Sequence, residues 1–383
     1  MDETNGFTVR PERKFSNIVT GWDDNGFRAT VHFPGLIEQS WPFDSIDDPE
    51  VLFRAVLRFK GDLGIWPTYP VRSAREFAEL SLPHQPPVLC DDPAEYWRPF
   101  IEKMESEFIW LREPNRTERG AKFAVAFDKR MMFLSAARSA MFGLGAPSIV
   151  ENIGLSELGR SVGLVKIRRP KFADPLRPDL AAFFTDIFAD QDIFYSSYLP
   201  VIQDLCQEPI KIIKGFVWSD PVRLFEPFAK KLGDAIKMTR PDPRFDVPAE
   251  MSGSEVLAAV NASYKSLYVR FFGWLGRLDN RTGFAANWFR PDWRGLIVSE
   301  AGANLFRNIV TVHKQTGLLP FGINHDCLMY FADSDNWQMD FASTPITDPN
   351  RFTCEWIAPA AKVRKMIRAG LNSGQIDGEF KDA

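Results

Sequence analysis

Residues 122–147 read KFAVAFDKRMMFLSAARSAMFGLGAP, and far downstream residues 321–331 read FGINHDCLMYF. In the first stretch Lys122 to Phe127 is a continuous apolar run of strand length that ends at Asp128. Met131, Leu134, Ser135, Arg138 and Met141 then fall at helical spacing, and Gly143, Gly145 and Pro147 stop the helix. The unit is strand, acid, helix. In the second stretch Phe321 to Ile323 and Cys327 to Phe331 are short apolar runs, with Asn324, His325 and Asp326 between them as a hairpin turn. Two carboxylates on adjacent strands can hold hard divalent ions, which clamp the attacking and leaving oxygens of an in-line phosphoryl displacement. Spacing alone favours the plainer reading, in which each Asp merely caps a strand or a turn.

Between the two acids, Ser252 and Glu255 form an S-x-x-E capping box ahead of Val256, Leu257, Val260, Tyr264, Leu267, Phe271 and Leu275 at helical intervals. The opposite face aligns Asn261, Lys265 and Tyr268 at i, i+4 and i+7, so that one ligand can meet all three. Aromatic and basic residues follow (Trp288, Phe289, Arg290, Trp293, Arg294), and then a second amphipathic helix from about Leu296 to Gln315, ended by Gly317 and Pro320. Residues 155–250 read as irregular, rich in proline and carrying basic clusters at Lys166 to Lys171 and at Lys211, Lys214, Arg223, Lys230 and Lys231. Part of that stretch is expected to be an insertion.

Upstream, residues 7–80 mix a strand-like run at Phe27 to Phe33 with a helical run at Val51 to Gly64, an α/β pattern. SLPHQPPVLCDDP, at 81–93, has the composition of a connector, and EYWRPFIEKMESEFIWL, from Glu95, reads as one helix. The end of the chain, SGQIDGEFKDA, is polar and is expected to fray.

The 383 residues, 45% hydrophobic and 25% charged, suit a soluble folded chain of two domains, or of one domain with a large insertion, with no apolar run long enough for a membrane span. The first residues are acidic and lack an apolar core, so a cytoplasmic location is expected. Four scattered cysteines without C-x-x-C spacing and four histidines suggest neither a disulfide scaffold nor an imidazole metal cluster. Metal chemistry would therefore rest on carboxylates. Residues 1–120 hold 21 acids and 14 bases and the remainder 29 acids and 32 bases, so any polyanion contact belongs to a local groove in the second part. Neither G-x-S-x-G nor G-x-x-x-x-G-K-[ST] occurs, which removes nucleophile-elbow hydrolases and P-loop enzymes. The pair His325-Asp326 also raises the all-helical HD phosphohydrolases, but its strand-like flanks argue against a helix.

VAFDKRMMFLSAA, Val125 to Ala137, resembles motif A of family B DNA polymerases, and GINHDCLMYF, Gly322 to Phe331, resembles their motif C. The resemblance puts Asp128 and Asp326 on the metal-binding acids and Phe133 on the sugar-gate position of motif A. It makes the helix with Lys265 the counterpart of the fingers helix, Lys265 being the match for the triphosphate-binding lysine. Asn324 stands where motif C carries its first acid. A closer likeness runs over about residues 120–335. YKSLYVRFFGWLG, RPDWRGLIVSEAGANLFRNI and TGLLPFGINHDCLMY, with the F-D-x-x-x-M-x-L-x-A-A and G-L-G-x-P blocks at Phe127 to Ala137 and Gly143 to Pro147, resemble telomere-associated proteins of linear actinobacterial replicons.

These resemblances imply an α+β fold: an antiparallel palm-type sheet bearing both acids, a helical fingers insertion, and an α/β N-terminal domain like a degenerate exonuclease. The expected limits are 1–120 for the N-terminal domain, 121–150 and 291–383 for the two palm parts, and 151–290 for the fingers and insertion. They imply Mg²⁺ or Mn²⁺ at Asp128 and Asp326, nucleotide contacts from Lys265, Phe133, Asn261 and Tyr268, and DNA contacts from Arg270, Arg277, Arg290 and Arg294. The partners implied are DNA ends or single-stranded overhangs, together with a terminal protein. Two readings stay open: deoxynucleotidyl transfer at linear DNA ends, or a non-catalytic telomere-binding protein that recruits a terminal protein.

Overall fold

A computed structural model describes residues 8–11, 16–22, 28–34, 49–65, 67, 70–82, 94–104, 108–174, 177–239, 254–277, 288–334 and 336–381. The capping residue Ser252 and most of the 81–93 connector lie outside the described residues. The chain divides into two compact units, residues 1–88 with 223–289 and residues 89–222 with 290–383. The first break thus falls at 88 rather than 120, and residues 151–222 group with the sheet that carries the two acids rather than with the helix that carries Lys265.

In the first unit β1 (Thr8–Pro11), β2 (Ser16–Trp22) and β3 (Arg28–Pro34) form an antiparallel meander. Helices α1 (Pro49–Leu63), α2 (Pro70–Ser81), α8 (Glu226–Met238) and α9 (Ser254–Leu275) follow. The apolar positions of α9 pack on the other three helices, with Val260, Tyr264, Leu267, Phe271 and Leu275 all buried. Inside this packing the Tyr264 hydroxyl donates to Asp62 at 2.6 Å, and Asp62 also accepts from Arg58. That bond satisfies a buried phenol that would otherwise weaken the core.

The second unit holds two antiparallel sheets. The first is built from β4 (Ile109–Leu111), β5 (Phe123–Lys129), β10 (Gly322–Asn324), β11 (Cys327–Ala332) and β12 (Phe352–Pro359), in the order β12-β5-β11-β10-β4. The second is built from β6 (Ser148–Gly154), β7 (Val162–Ile167), β8 (Ile193–Tyr195) and β9 (Lys211–Trp218), in the order β6-β9-β7-β8. Helices α3 (Ala94–Met104), α4 (Met132–Ser139), α5 (Leu155–Leu158), α6 (Pro178–Ile187), α7 (Leu199–Gln203), α10 (Pro291–Thr316), α11 (Trp337–Asp340), α12 (Ala360–Arg368) and α13 (Ser373–Lys381) complete it. The molecule is therefore α+β.

Three local expectations are corrected. Residues 155–222 are regular, not irregular: their strands and helices are too short to show a clear period, and they hydrogen-bond into the second sheet. The helix read from Glu95 ends at Met104, and Ile109–Leu111 is an edge strand of the five-stranded sheet. The C-terminal stretch does not fray, because α13 buries Ser373, Ile376 and Asp377 against that same sheet.

The central strands β5 and β11 are covered on both faces, which is why both read as unbroken apolar runs. Ala124, Ala126, Cys327, Met329 and Phe331 face one side and pack with Trp356, Val363, Ile367 and Ile376. Phe127 and Tyr330 face the other side, among the rings of Trp337 and Phe341. Helix α10 packs along α3 and α4 in the same unit. A Cβ at Gly302 would overlap the Tyr198 hydroxyl, so the missing side chain is what lets that buried ring lie against the helix.

Candidate active site

Asp128 is the penultimate residue of β5, and Asp326 is the second residue of the two-residue turn between β10 and β11. The register sets Cys327 directly opposite Asp128, and the Lys129 N–H donates to the Asp326 carbonyl at 2.9 Å. That backbone bond extends the β5–β11 ladder into the turn and sets the two side chains near enough for Asp128 to influence the Asp326 carboxyl. His325, first in the turn, adopts a left-handed φ of 53°, and its N–H donates to the Phe108 carbonyl at 2.8 Å. A second left-handed residue, Met131 at φ 48°, turns the chain from β5 into α4. His325-Asp326 thus lies in a β-turn, and the all-helical alternative is excluded.

Further groups join the pair. Thr353 on β12 faces Asp128 across the ladder, and the irregularity between Cys354 and Trp356 turns Glu355 toward the same acids. Asp377 enters from α13, and Cys327, Glu355 and Asp377 hold their ligand atoms within 4.8 Å of one another. Lys381, one helical turn beyond Asp377, donates to Glu355 and to Asp377 at 2.8 Å each. Asp377 also accepts from Trp356 Nε1 at 2.8 Å and from Asn324 Nδ2 at 2.9 Å.

The titration of these groups follows from their surroundings. Burial raises Asp326, with Glu355 adding to the rise and its backbone hydrogen bond and Lys381 opposing it. A smaller contribution from the neighbouring Asp128 side chain also opposes the rise. Burial also raises Glu355, aided by the charges of Asp128 and Asp377 and opposed by Lys381. For Asp377 burial works the same way, but the hydrogen bonds from Lys381, Trp356 and Asn324 outweigh it and hold the carboxyl below its ordinary range. Burial lifts the Cys327 thiol well above its ordinary value, so it stays protonated and is a poor metal ligand. The donor set at Asp128 and Asp326 is hard oxygen, which fits Mg²⁺ or Mn²⁺ and does not suit a soft-metal centre.

The remaining expected residues scatter. Phe133 is half-buried in the first turn of α4. Lys265 is exposed on α9 in the first unit, whereas both aspartates belong to the second. Asn261 and Tyr268 do not share an open face with it: Asn261 donates to Thr239 Oγ1 at 2.7 Å, tying α9 to the end of α8, and Tyr268 is 6% exposed beside Phe272. Helical spacing aligned the three, but neighbouring helices cover two of them. Arg277 is exposed, and Arg270 is half-buried with its Nε on Ser266.

Arg290 is corrected outright. It is 0% exposed, with Nε and Nη2 on the Asp292 carboxylate at 2.9 and 2.6 Å, Nη2 also on the Gly143 carbonyl, and the guanidinium 3.7 Å from the Trp293 ring centre. Such a side chain locks the start of α10 and cannot grip a phosphate from outside. Trp288 and Trp293 are likewise buried rather than presented for stacking, whereas the half-buried Arg294 keeps some access.

Sequence reasoning missed Glu355, Asp377 and Lys381. The i,i+4 acid–base spacing of Asp377 and Lys381, with Ile376 and Phe380 also four apart, was the available sign of an amphipathic α13. A scan of the chain against protein-family models and a search of curated proteins gave no match.

Proposed function

We propose that the chain is a DNA-end-acting replication protein whose Asp128 and Asp326 form a divalent-metal centre for deoxynucleotidyl transfer on a polymerase-like palm. The observation that carries this reading is the placement of the two acids side by side, at the end of a central strand and on the adjoining hairpin turn of an antiparallel sheet. Asp128 and Asp326 would hold Mg²⁺ or Mn²⁺, which when bound polarises phosphoryl oxygens and offsets the charge that grows on the attacking and leaving oxygens. Glu355 would stand beside them as a third carboxylate. The choice of DNA ends and of a terminal protein as partner rests on the sequence resemblance. Among the described residues no helix is long and apolar enough to cross a membrane.

One observation favours the second reading, a non-catalytic DNA-binding protein. Asn324, at the position of the first motif C acid, is engaged with Asp377, so this corner of the site is used for packing α13. Incorporation of labelled deoxynucleotides on recessed and overhanging DNA ends, with Mn²⁺ or with EDTA, separates the readings. The catalytic reading expects metal-dependent extension that D326N abolishes. Salt-sensitive binding of overhang DNA that survives EDTA, without extension, supports the second reading. Absence of both overturns the two together.

A further inference from the structure

Glu355 and Asp377 converge on a cation that the chain itself provides. The Lys381 ammonium lies 2.8 Å from Glu355 Oε2 and 2.8 Å from Asp377 Oδ2, distances of charge-assisted hydrogen bonds. Asp377 Oδ2 also accepts from Asn324, and Oδ1 accepts from Trp356 Nε1, with the Cys327 Sγ 3.6 Å away. Every side of this 2% exposed carboxylate therefore meets a donor, and it has no oxygen left for an ion. The cation is fixed by the fold: Ile376 is fully buried, Phe380 packs on Trp356 with ring centres 4.9 Å apart, and the Ser373 hydroxyl donates to the Ile323 carbonyl. Lys381 stays charged, since its two carboxylate partners outweigh burial and push it well above the ordinary lysine range.

We propose that Lys381 supplies the second positive charge of the carboxylate centre, so that the site takes one divalent ion, at Asp128 and Asp326, with the ammonium occupying the place of another. The inference rests on the reading of Asp128 and Asp326 as metal ligands and adds to it the stoichiometry and the role of α13. Two ions beside five acidic or thiol groups would need Cys327, Glu355 or Asp377 as ligands. Cys327 is fully buried with its Sγ directed at Asp377, Asp377 is saturated, and one oxygen of Glu355 is held by the ammonium. Lys381 is then a positioning residue: it keeps Glu355 turned toward the pair and offsets the negative charge that an incoming phosphate would meet.

The test is Mn²⁺ stoichiometry on the full chain, read by electron paramagnetic resonance of free Mn²⁺ and by calorimetry, for wild type, K381M, K381R, D128N and D326N. The expected result is one ion in wild type and in K381R, and two in K381M, with the second at least tenfold weaker. Thermal unfolding of K381M shows whether it is folded, and K381R preserves the charge if K381M is not. Two ions in wild type, or one in a folded K381M, would overturn the proposal and leave the metal-centre reading standing. No ion in wild type or any variant up to millimolar Mn²⁺ would instead remove the metal-centre reading itself, and this inference with it.

Discussion

Asp128 and Cys327 are direct cross-strand partners, so the acid and the buried thiol point to the same face of the five-stranded sheet. That face is the one packed by α12 and α13, and only at the strand ends, beside the Asp326 turn, do polar groups replace the apolar core. The acids therefore sit where a hydrophobic layer stops. A charge there is desolvated without being fully enclosed, and burial raises Asp326 and Glu355 even though Lys381 opposes the rise.

D326N removes a carboxyl that burial and its neighbours hold in an unfavourable state, while keeping its shape. The expected outcome without metal is a higher melting temperature, by about 1–3 °C for roughly 1 kcal/mol, measured calorimetrically near neutral pH. Mn²⁺ should raise the melting temperature of wild type and not of D326N, because only a site bound in the native state stabilises by mass action. A variant less stable than wild type without metal would show that the carboxylate serves packing and not ion binding.

How far the sequence showed this site depends on the kind of element. Asp128 and Asp326 were legible because each adjoins an unbroken apolar run, and doubly covered strands announce themselves that way. The hairpin itself was legible, but its register was not: Asn324, read as part of the turn, pairs with Cys327 and leaves a two-residue turn. Glu355 was hidden because β12 alternates unevenly around its irregularity. The face of α9 misled because spacing reports which residues align, not which neighbouring helix covers them, and α8 covers Asn261. Arg290 misled for the opposite reason: a basic residue among tryptophans reads as a nucleic-acid surface, yet Asp292 two positions on was its partner.

Arg290 gives a sharp stability prediction. R290A leaves the Asp292 carboxylate, 0% exposed, without its bidentate partner, and also empties the contact with Trp293. Breaking one side of a buried pair costs about 3–5 kcal/mol, so the chain should unfold at far lower denaturant concentration. R290M with D292L should recover much of this loss, since removing both charges avoids the stranded one. If R290A left stability intact and only weakened DNA binding, Arg290 would be a surface contact after all.

Gly302 tests the packing of α10. G302A inserts a methyl group into the space of the Tyr198 hydroxyl, and overpacking of this kind costs about 1–3 kcal/mol. Y198F shortens the ring by that oxygen, so the G302A and Y198F double variant should regain most of the loss. Urea midpoints of the four proteins give the coupling energy directly. Additive effects would mean that the ring does not lie against Gly302 in solution.

Acid stability should trace to Asp377. Its carboxyl is held below the ordinary range because hydrogen bonds from Lys381, Trp356 and Asn324 overcome burial. A group whose folded-state pKa is depressed adds stability that is fully present above its unfolded value, about 3.9 for Asp, and that disappears as pH falls through the folded value. Asp326 and Glu355 act in the reverse sense: their raised values mean that acidification relieves unfavourable charge before Asp377 protonates. The metal-free chain should therefore hold or gain stability as pH falls through the range where those two groups protonate, and lose it steeply below about pH 4. D377N should lower the melting temperature at neutral pH, by the equivalent of about 1–3 kcal/mol for a lost charge-assisted bond, and should flatten the acid limb. Melting curves of both proteins across that range decide the matter: parallel acid limbs would show that the loss comes from other carboxylates and that α13 is not held to the sheet by this charge.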